Sequence, residues 1–387
     1  MFYWIVVLFI ISLNLRPSIT SVGPLLDVIK TDLGMSGAAA SLLTTLPVFC
    51  MGLFALLSIR MGKRLGIERS LLLAMLLIGA ATLVRAFTGN AIPLLVTALF
   101  SGMGIGIAGP LLTGYIKKYF PDKLSVTSVY SVSMVVGAAV ASSFSIPLFH
   151  GMNGSWQKAL SFWSIFAFIA AALLLPLLGK SKGGQGASSP AEPASNPRTN
   201  PKVYWFMLFF GCMAAIFYSV TAWLAFFVKG QGLSQAQSGL ILTLFTVIQV
   251  PVSLFMPMLV RRTGNRMFWL LLCGVSELIG LGLLLLHLSP WVATLFLGIG
   301  AGGLFPLALL LPLEEAAGVE EATSWSANMQ FGGFMLGSLG PVGIGLTIDA
   351  FGSITSALLV IALMVCLMIV TILRIGNNPA VRKQAAD

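Results

Sequence analysis

Leu99-Phe100-Ser101-Gly102-Met103-Gly104-Ile105-Gly106, followed by Pro110-Leu111, returns later in the chain as Leu295-Phe296-Leu297-Gly298-Ile299-Gly300-Ala301-Gly302 and Pro306-Leu307. The two stretches stand 196 residues apart throughout. Met134-Val135-Val136-Gly137 finds its counterpart in Met329-Gln330-Phe331-Gly332, one residue short of that spacing, with Pro147 and Pro341 closing the two segments. Lys63-Arg64-Leu65-Gly66 pairs with Arg261-Arg262-Thr263-Gly264 in the same collinear order. Close packing between apolar helices favours glycine by itself. Shared prolines at a shared spacing do not follow from packing, so the sequence reads as a six-helix unit duplicated in parallel orientation.

The repeats lie in an unusually apolar chain. Of its 387 residues, 57% are hydrophobic and 9% are charged, with a mean hydropathy of +0.97. Soluble domains carry roughly 25% charged residues, and a membrane-crossing helix needs about 20 apolar ones. Apolar runs of that length fall near 2–24, 38–59, 70–88, 92–115, 124–149, 158–179, 203–228, 237–259, 267–287, 291–313, 323–348 and 353–374. The expected fold is an all-α polytopic membrane protein of twelve transmembrane helices in two pseudo-symmetric six-helix halves. The first span opens at Phe2-Tyr3-Trp4 without a basic leader and reads as retained, not cleaved.

Lys180 to Lys202, KSKGGQGASSPAEPASNPRTNPK, is rich in Gly, Ser and Pro, the composition of a flexible solvated linker. It sets the expected boundaries: an N-terminal half over 1–179, the linker over 180–202, a C-terminal half over 203–374 and a tail over 375–387. Basic residues orient the chain, because cytoplasmic loops retain Lys and Arg. With the N-terminus inside, the cytoplasm receives Arg60, Lys63, Arg64, Arg69, Lys117, Lys118, Lys123, Lys180, Lys182, Arg198, Lys202, Arg261, Arg262, Arg266, Arg374, Arg382 and Lys383. Lys30, Lys158 and Lys229 fall outside, and Arg16 and Arg85 fall within spans. The loop after the tenth span breaks the pattern, with Glu314, Glu315, Glu320 and Glu321 and no cation. Both termini are therefore expected in the cytoplasm. This asymmetry accounts for the net charge of +10 without nucleic acid as a partner.

Two six-span halves, a basic turn repeated between spans two and three and between eight and nine, and a long central linker resemble the major facilitator superfamily. Leu13-Asn14-Leu15-Arg16-Pro17 in the first span and the Gly-rich fourth span ending Gly109-Pro110-Leu111 resemble its cyanate porter branch, which includes transporters related to cyanate and 2-nitroimidazole. The resemblance implies secondary active transport across the cytoplasmic membrane by alternating access around a site near the midplane. One departure stands out: Lys63 occupies the place where the superfamily's loop usually carries an aspartate.

Ionisable groups at membrane depth are costly and mark function. Arg16 lies past the middle of the first span, and Pro17 disfavours helical geometry at residue 16 and removes a backbone hydrogen bond. A planar five-donor guanidinium there suits a carboxylate, a nitro group or another planar anion-like acceptor. The alternative for Arg16 is a support that caps carbonyls released by Pro17. Asn14 and Thr20 lie close by. Tyr130 and Met134 in the fifth span, Tyr218 and Trp223 in the seventh, Gln249 in the eighth and Gln330 in the eleventh complete the candidate substrate-binding set. Ser326 precedes Gln330 by one turn, and Ser219 precedes Trp223 by one turn.

Glu277 is the one carboxylate near the middle of a span and the candidate for proton coupling. The resembled fold makes the ninth helix peripheral, so the sequence favours a structural role for it. Arg85 and Asp349 lie near outer span ends, where snorkelling accounts for them. The four cysteines sit in apolar runs with no CxxC pair, and neither His150 nor His287 has metal-site company.

HExxH, GxSxG and P-loop patterns are missing, as is a carboxylate pair within a span, so the sequence predicts no enzyme, no metal and no cofactor. The expected partners are a small-molecule substrate and the lipid bilayer, with a proton as candidate coupling ion and the protein a monomer. The expected cargo is a small planar or anionic solute. The alternative is a broad exporter of lipophilic drugs on the same fold, which the fixed cation of Arg16 disfavours.

Overall fold

A computed structural model describes residues 2–121, 126–180 and 200–377. Most of the 180–202 linker and of the 375–387 tail lies outside the described residues. All regular structure among the described residues is helical. The first part of the chain forms α1 (Phe2–Leu13), α2 (Pro17–Thr20), α3 (Leu26–Asp32), α4 (Gly37–Ala55), α5 (Leu57–Leu65), α6 (Ile67–Val84), α7 (Ala91–Tyr119), α8 (Thr127–Gly151), α9 (Trp156–Ser161) and α10 (Ser164–Lys180). The second forms α11 (Lys202–Gly230), α12 (Gln235–Thr263), α13 (Arg266–Leu285), α14 (Pro290–Glu315), α15 (Val319–Gly337), α16 (Gly340–Phe351) and α17 (Ile354–Ile375). Short 3-10 turns occupy Gly23–Leu25 and Arg85–Phe87.

Eleven helical stretches are long and apolar enough to cross a membrane, and a bent pair, Leu42–Ala55 with Leu57–Leu65, brings the number to twelve. The expected fold class is the one observed, and the span edges fall within a few residues of their expected places. The bend is a difference: the second span turns by 53° at Leu56. Pro47 lies inside α4 and does not stop it. Outward surfaces are apolar, as a lipid solvent demands. On α17, Leu359, Leu363, Leu367, Val370 and Leu373 are exposed, while Leu358, Ile361, Val365, Met368 and Ile372 are buried. Cys50, Cys212 and Cys273 are buried, whereas Cys366 is exposed on α17.

The chain divides into two compact units. Unit 1 contains Met1–Thr199 together with Ala316–Phe331, and unit 2 contains Asn200–Glu315 and Gly332–Asp387. The duplication is visible inside each unit as repeated contacts. In unit 1 a Cβ at Gly102 would overlap Pro47 and Cys50, one at Gly104 would overlap Ile78, and one at Gly106 would overlap Met51. In unit 2, added atoms at Gly298, Gly300 and Gly302 would press on Phe245 and Ile248, on Cys273 and Glu277, and on Gln249. Each glycine of one helix therefore meets its neighbour's backbone at the same register in both units, which is the reason the LFxGxGxG pattern is kept. The basic turns correspond as well. Gly66 has φ 82° between α5 and α6, and Gly264 has φ 64° between α12 and α13, a region where a side chain would be strained. The N-caps match too. Ser36 accepts from the Ala39 amide at the start of α4, and Ser234 accepts from the Gln237 amide at the start of α12.

Candidate functional site

The first span breaks where its sequence predicts. α1 ends at Leu13, and Pro17 restarts the helix at its first position, where a missing N–H costs nothing. Arg16 is the residue that caps the restart, with φ −115° and ψ −37°. Its carbonyl accepts from the amides of Ile19 and Thr20, each at 3.0 Å, and from the Thr20 hydroxyl at 3.1 Å. The Arg16 side chain is half-buried. Tyr130, Met134 and Gly137 follow one face of α8 at i, i+4 and i+7. Gly137 lies so close to the Leu13 carbonyl that a Cβ there would overlap it, and Tyr130 and Met134 are both buried. Arg16 and Thr20 thus share the break, and Tyr130 and Met134 lie on the face of α8 that meets α1 at Gly137.

Carbonyls beyond the break have donors of their own. The Ser142 hydroxyl donates to Thr20 O at 3.2 Å, and that of Ser145 donates to Ser21 O at 3.0 Å. Arg85 Nη1 donates to Ser18 O at 2.7 Å, and its Nε donates to Thr97 Oγ1 at 3.2 Å. Arg85 is therefore not a snorkelling side chain. It is 1% exposed, turned inward to hold the part of the first span beyond its break, and no carboxylate among the described residues pairs with it. The sequence gives its depth but not its direction. Asn14 is engaged locally: its Nδ2 donates to Ile10 O at 2.7 Å and to Phe166 O at 3.1 Å, tying α1 to α10.

A second polar group in unit 1 joins α7 to the first part of α15. Thr113 Oγ1 donates to Ser326 Oγ at 3.0 Å, and Gln330 Nε2 donates to the same oxygen at 2.9 Å. The Gln330 amide oxygen lies over Gly109, where a Cβ would collide with it. Thr113 carries no signal in the sequence, being a lone hydroxyl in a glycine-rich helix. Its role depends on a residue more than 200 positions away.

Tyr218, Trp223 and Gln249 belong to unit 2. Trp223 Nε1 donates to Pro341 O at 3.0 Å, linking α11 to α16, and Tyr218 stands beside Phe217 on α11. Gln249 packs its main chain on Gly302 and donates its amide to Phe245 O at 3.0 Å. Glu277 is 3% exposed on α13. Four acidic or basic residues the sequence did not single out as a group gather at one end of unit 2. Arg266 Nη1 lies 2.5 Å from Glu314 and its Nη2 lies 3.0 Å from Glu315, while Lys202 Nζ lies 3.1 Å from Glu315. Two of the four acids after the tenth span, Glu314 and Glu315, are partners of these cations, and Glu320 pairs with Lys63, which accounts for three of the four exceptions to the basic pattern.

The Major Facilitator Superfamily description matches residues 8–341. The chain is 32% identical over 371 residues to the uncharacterized transporter YycB of Bacillus subtilis (strain 168), covering 94% of this chain and 91% of that protein. It is 30% identical over 378 residues to the 2-nitroimidazole transporter of Escherichia coli (strain K12), covering 96% and 95%. To the cyanate transport protein CynX of the same strain it is 32% identical over 342 residues, covering 87% and 88%. Among solved structures, the proton:xylose symporter XylE superposes with a TM-score of 0.76 over 96% of this chain and 95% of that one. At 16% identity that likeness shows the fold alone.

Proposed function

The chain belongs to the major facilitator superfamily and is a transporter, not an enzyme; from that premise we propose that it moves a small planar or anionic solute, of the cyanate or nitroimidazole kind. Transport runs across the cytoplasmic membrane by alternating access, with both termini and the 180–202 linker in the cytoplasm. Arg16 binds the electronegative part of the solute, with Thr20, Tyr130 and Met134 beside it.

One observation carries this reading. The half-buried Arg16 stands where Pro17 restarts the first span, and the carbonyls of Ser18, Thr20 and Ser21 beyond it are held by Arg85, Ser142 and Ser145. A planar positive charge held at membrane depth beside an opened backbone suits the electronegative part of a planar solute. The relatives that act on 2-nitroimidazole and cyanate carry planar cargoes of matching chemistry.

Counterflow of labelled cyanate and 2-nitroimidazole into liposomes containing the purified protein tests the cargo, and cationic dyes test the exporter alternative. Arg16→Lys keeps the charge but loses the planar fork, weakening binding by about 1–3 kcal/mol, and Arg16→Ala weakens it further. Unchanged affinity in both monodisperse variants returns Arg16 to a backbone support. Reporter fusions after Lys182 and near Lys229 check the topology: the first scores inside and the second outside.

A further inference from the structure

α13 and α14 meet along a seam that α6 and α7 reproduce in unit 1. A Cβ at Gly104 would fall 2.6 Å from Ile78 Cγ1 and 3.1 Å from the Ala74 carbonyl. A Cβ at Gly300 would overlap Glu277 Cγ and fall 2.7 Å from the Cys273 carbonyl. Position by position, Glu277 stands in the place of Ile78, and Cys273 in the place of Ala74. An aliphatic side chain of similar reach thus satisfies this packing in one unit, and the seam of the other has no steric need of an acid.

The acid is nonetheless enclosed. Glu277 is 3% exposed, and its Oε2 has no hydrogen-bond partner among the described residues. On its own helix the nearest ionisable group is the buried Cys273 thiol, while the Ser276 hydroxyl is committed to Phe296 O at 2.7 Å. α14 presents Gly300 and Gly303 to the seam, α12 presents Met256 to Gly303, and α17 presents Met368 and Ile369 to Gly274. The charged groups described on these four helices, Arg261, Arg262, Arg266, Glu314, Glu315 and Arg374, lie at their ends. Arg266 precedes Glu277 by eleven residues, about 16 Å of helix. No cation among the described residues reaches the carboxyl, and an isolated carboxylate in such surroundings is strongly disfavoured.

We infer that Glu277 is a proton-binding site that couples the transport cycle to a proton. Its carboxyl holds the proton while α13 and α14 are packed as here. It releases the proton to water at another point of the transport cycle and takes one up again on its return. No other bond changes. The coupling rests on the transport reading above, whereas the proton site itself does not.

Infrared difference spectra of the full-length protein in liposomes, recorded from acidic to alkaline pH, test the site. The expected result is a protonated carboxylic-acid C=O band present at neutral pH and missing from Glu277→Gln and Glu277→Ile. A spectrum with no such band, or a band that survives both substitutions, overturns the inference. The second arm measures pH-gradient-driven accumulation of labelled 2-nitroimidazole and cyanate beside solute exchange without a gradient. Both variants should lose driven accumulation and keep exchange. Driven accumulation retained by a well-folded variant overturns the coupling. Should the unsubstituted protein move neither solute, the transport reading fails, and the infrared band alone confirms or overturns the proton site.

Discussion

The start of α6 in unit 1 and the start of α13 in unit 2 hold equivalent positions with opposite charge. In unit 1, Glu68 accepts from Lys118 Nζ at 2.6 Å and from the Tyr119 hydroxyl, both at the end of α7. Trp4 stacks on Tyr119 with ring centroids 4.0 Å apart, and Tyr115 packs against the same ring at 4.7 Å. In unit 2, Arg266 takes the place of Glu68, Glu314 that of Lys118, and Glu315 that of Tyr119, with Lys202 reaching Glu315 from the start of α11. What persists is a buried, neutralised charge at the start of one helix, bound by the end of the next. The sign is free, provided that both members change together.

The largest expected effect comes from breaking the unit 2 set. Arg266→Ala leaves Glu314, whose side chain is 2% exposed, without its cation, and should cost about 3–5 kcal/mol. The readout is the thermal unfolding midpoint of the detergent-purified protein. Arg266→Glu should be worse still. Adding Glu314→Lys and Glu315→Tyr to it copies the unit 1 set and should recover most of the loss. Failure of that triple variant to outlast Arg266→Glu would show that the two ends are not equivalent.

Glu68→Gln is the milder break. Lys118 is one-third exposed and keeps water when its partner is lost, so the expected loss is about 1–3 kcal/mol on the same assay. Trp4→Ala against Lys202→Ala sharpens the contrast between the aromatic and ionic third members. The stack is worth about 0.5–1.5 kcal/mol beyond its buried area. The Lys202 pair, with Lys202 43% exposed, is worth about 1 kcal/mol or less and should weaken in high salt. The smallest effect belongs to Lys63 and Glu320, 3.5 Å apart and more than half exposed. Lys63→Ala should stay within about 0.5 kcal/mol of the unsubstituted protein.

The spans were legible because a membrane crossing writes itself as a run of apolar residues, as in the fourth, expected over 92–115 and found at Ala91–Tyr119. The repeat was legible because glycines at fixed spacing are demanded by backbone contact. The bend at Leu56 was not, since no proline or glycine stands there. At the site, Pro17 announced the break and Arg16 the charge beside it. Direction around the helix axis was hidden: it turned Arg85 inward to Ser18 and Thr97, and committed Asn14 to the carbonyls of Ile10 and Phe166. The pairing of Glu314 with Arg266 was hidden because the two lie 48 residues apart.

The reversed charges also bear on how the two halves can inherit change from each other. A recombination event that copied α6 alone over α13 would set Glu68's equivalent against Glu314 and Glu315, three acids with only the half-exposed Lys202 to balance them. Copying α7 alone over α14 would set Arg266 against a lysine. Only the two-helix cassette, α6 with α7 or α13 with α14, can be exchanged whole. With the pair inverted, a single-helix exchange from the sister copy would leave a buried charge facing its like, so each half can accept change from the other only two helices at a time.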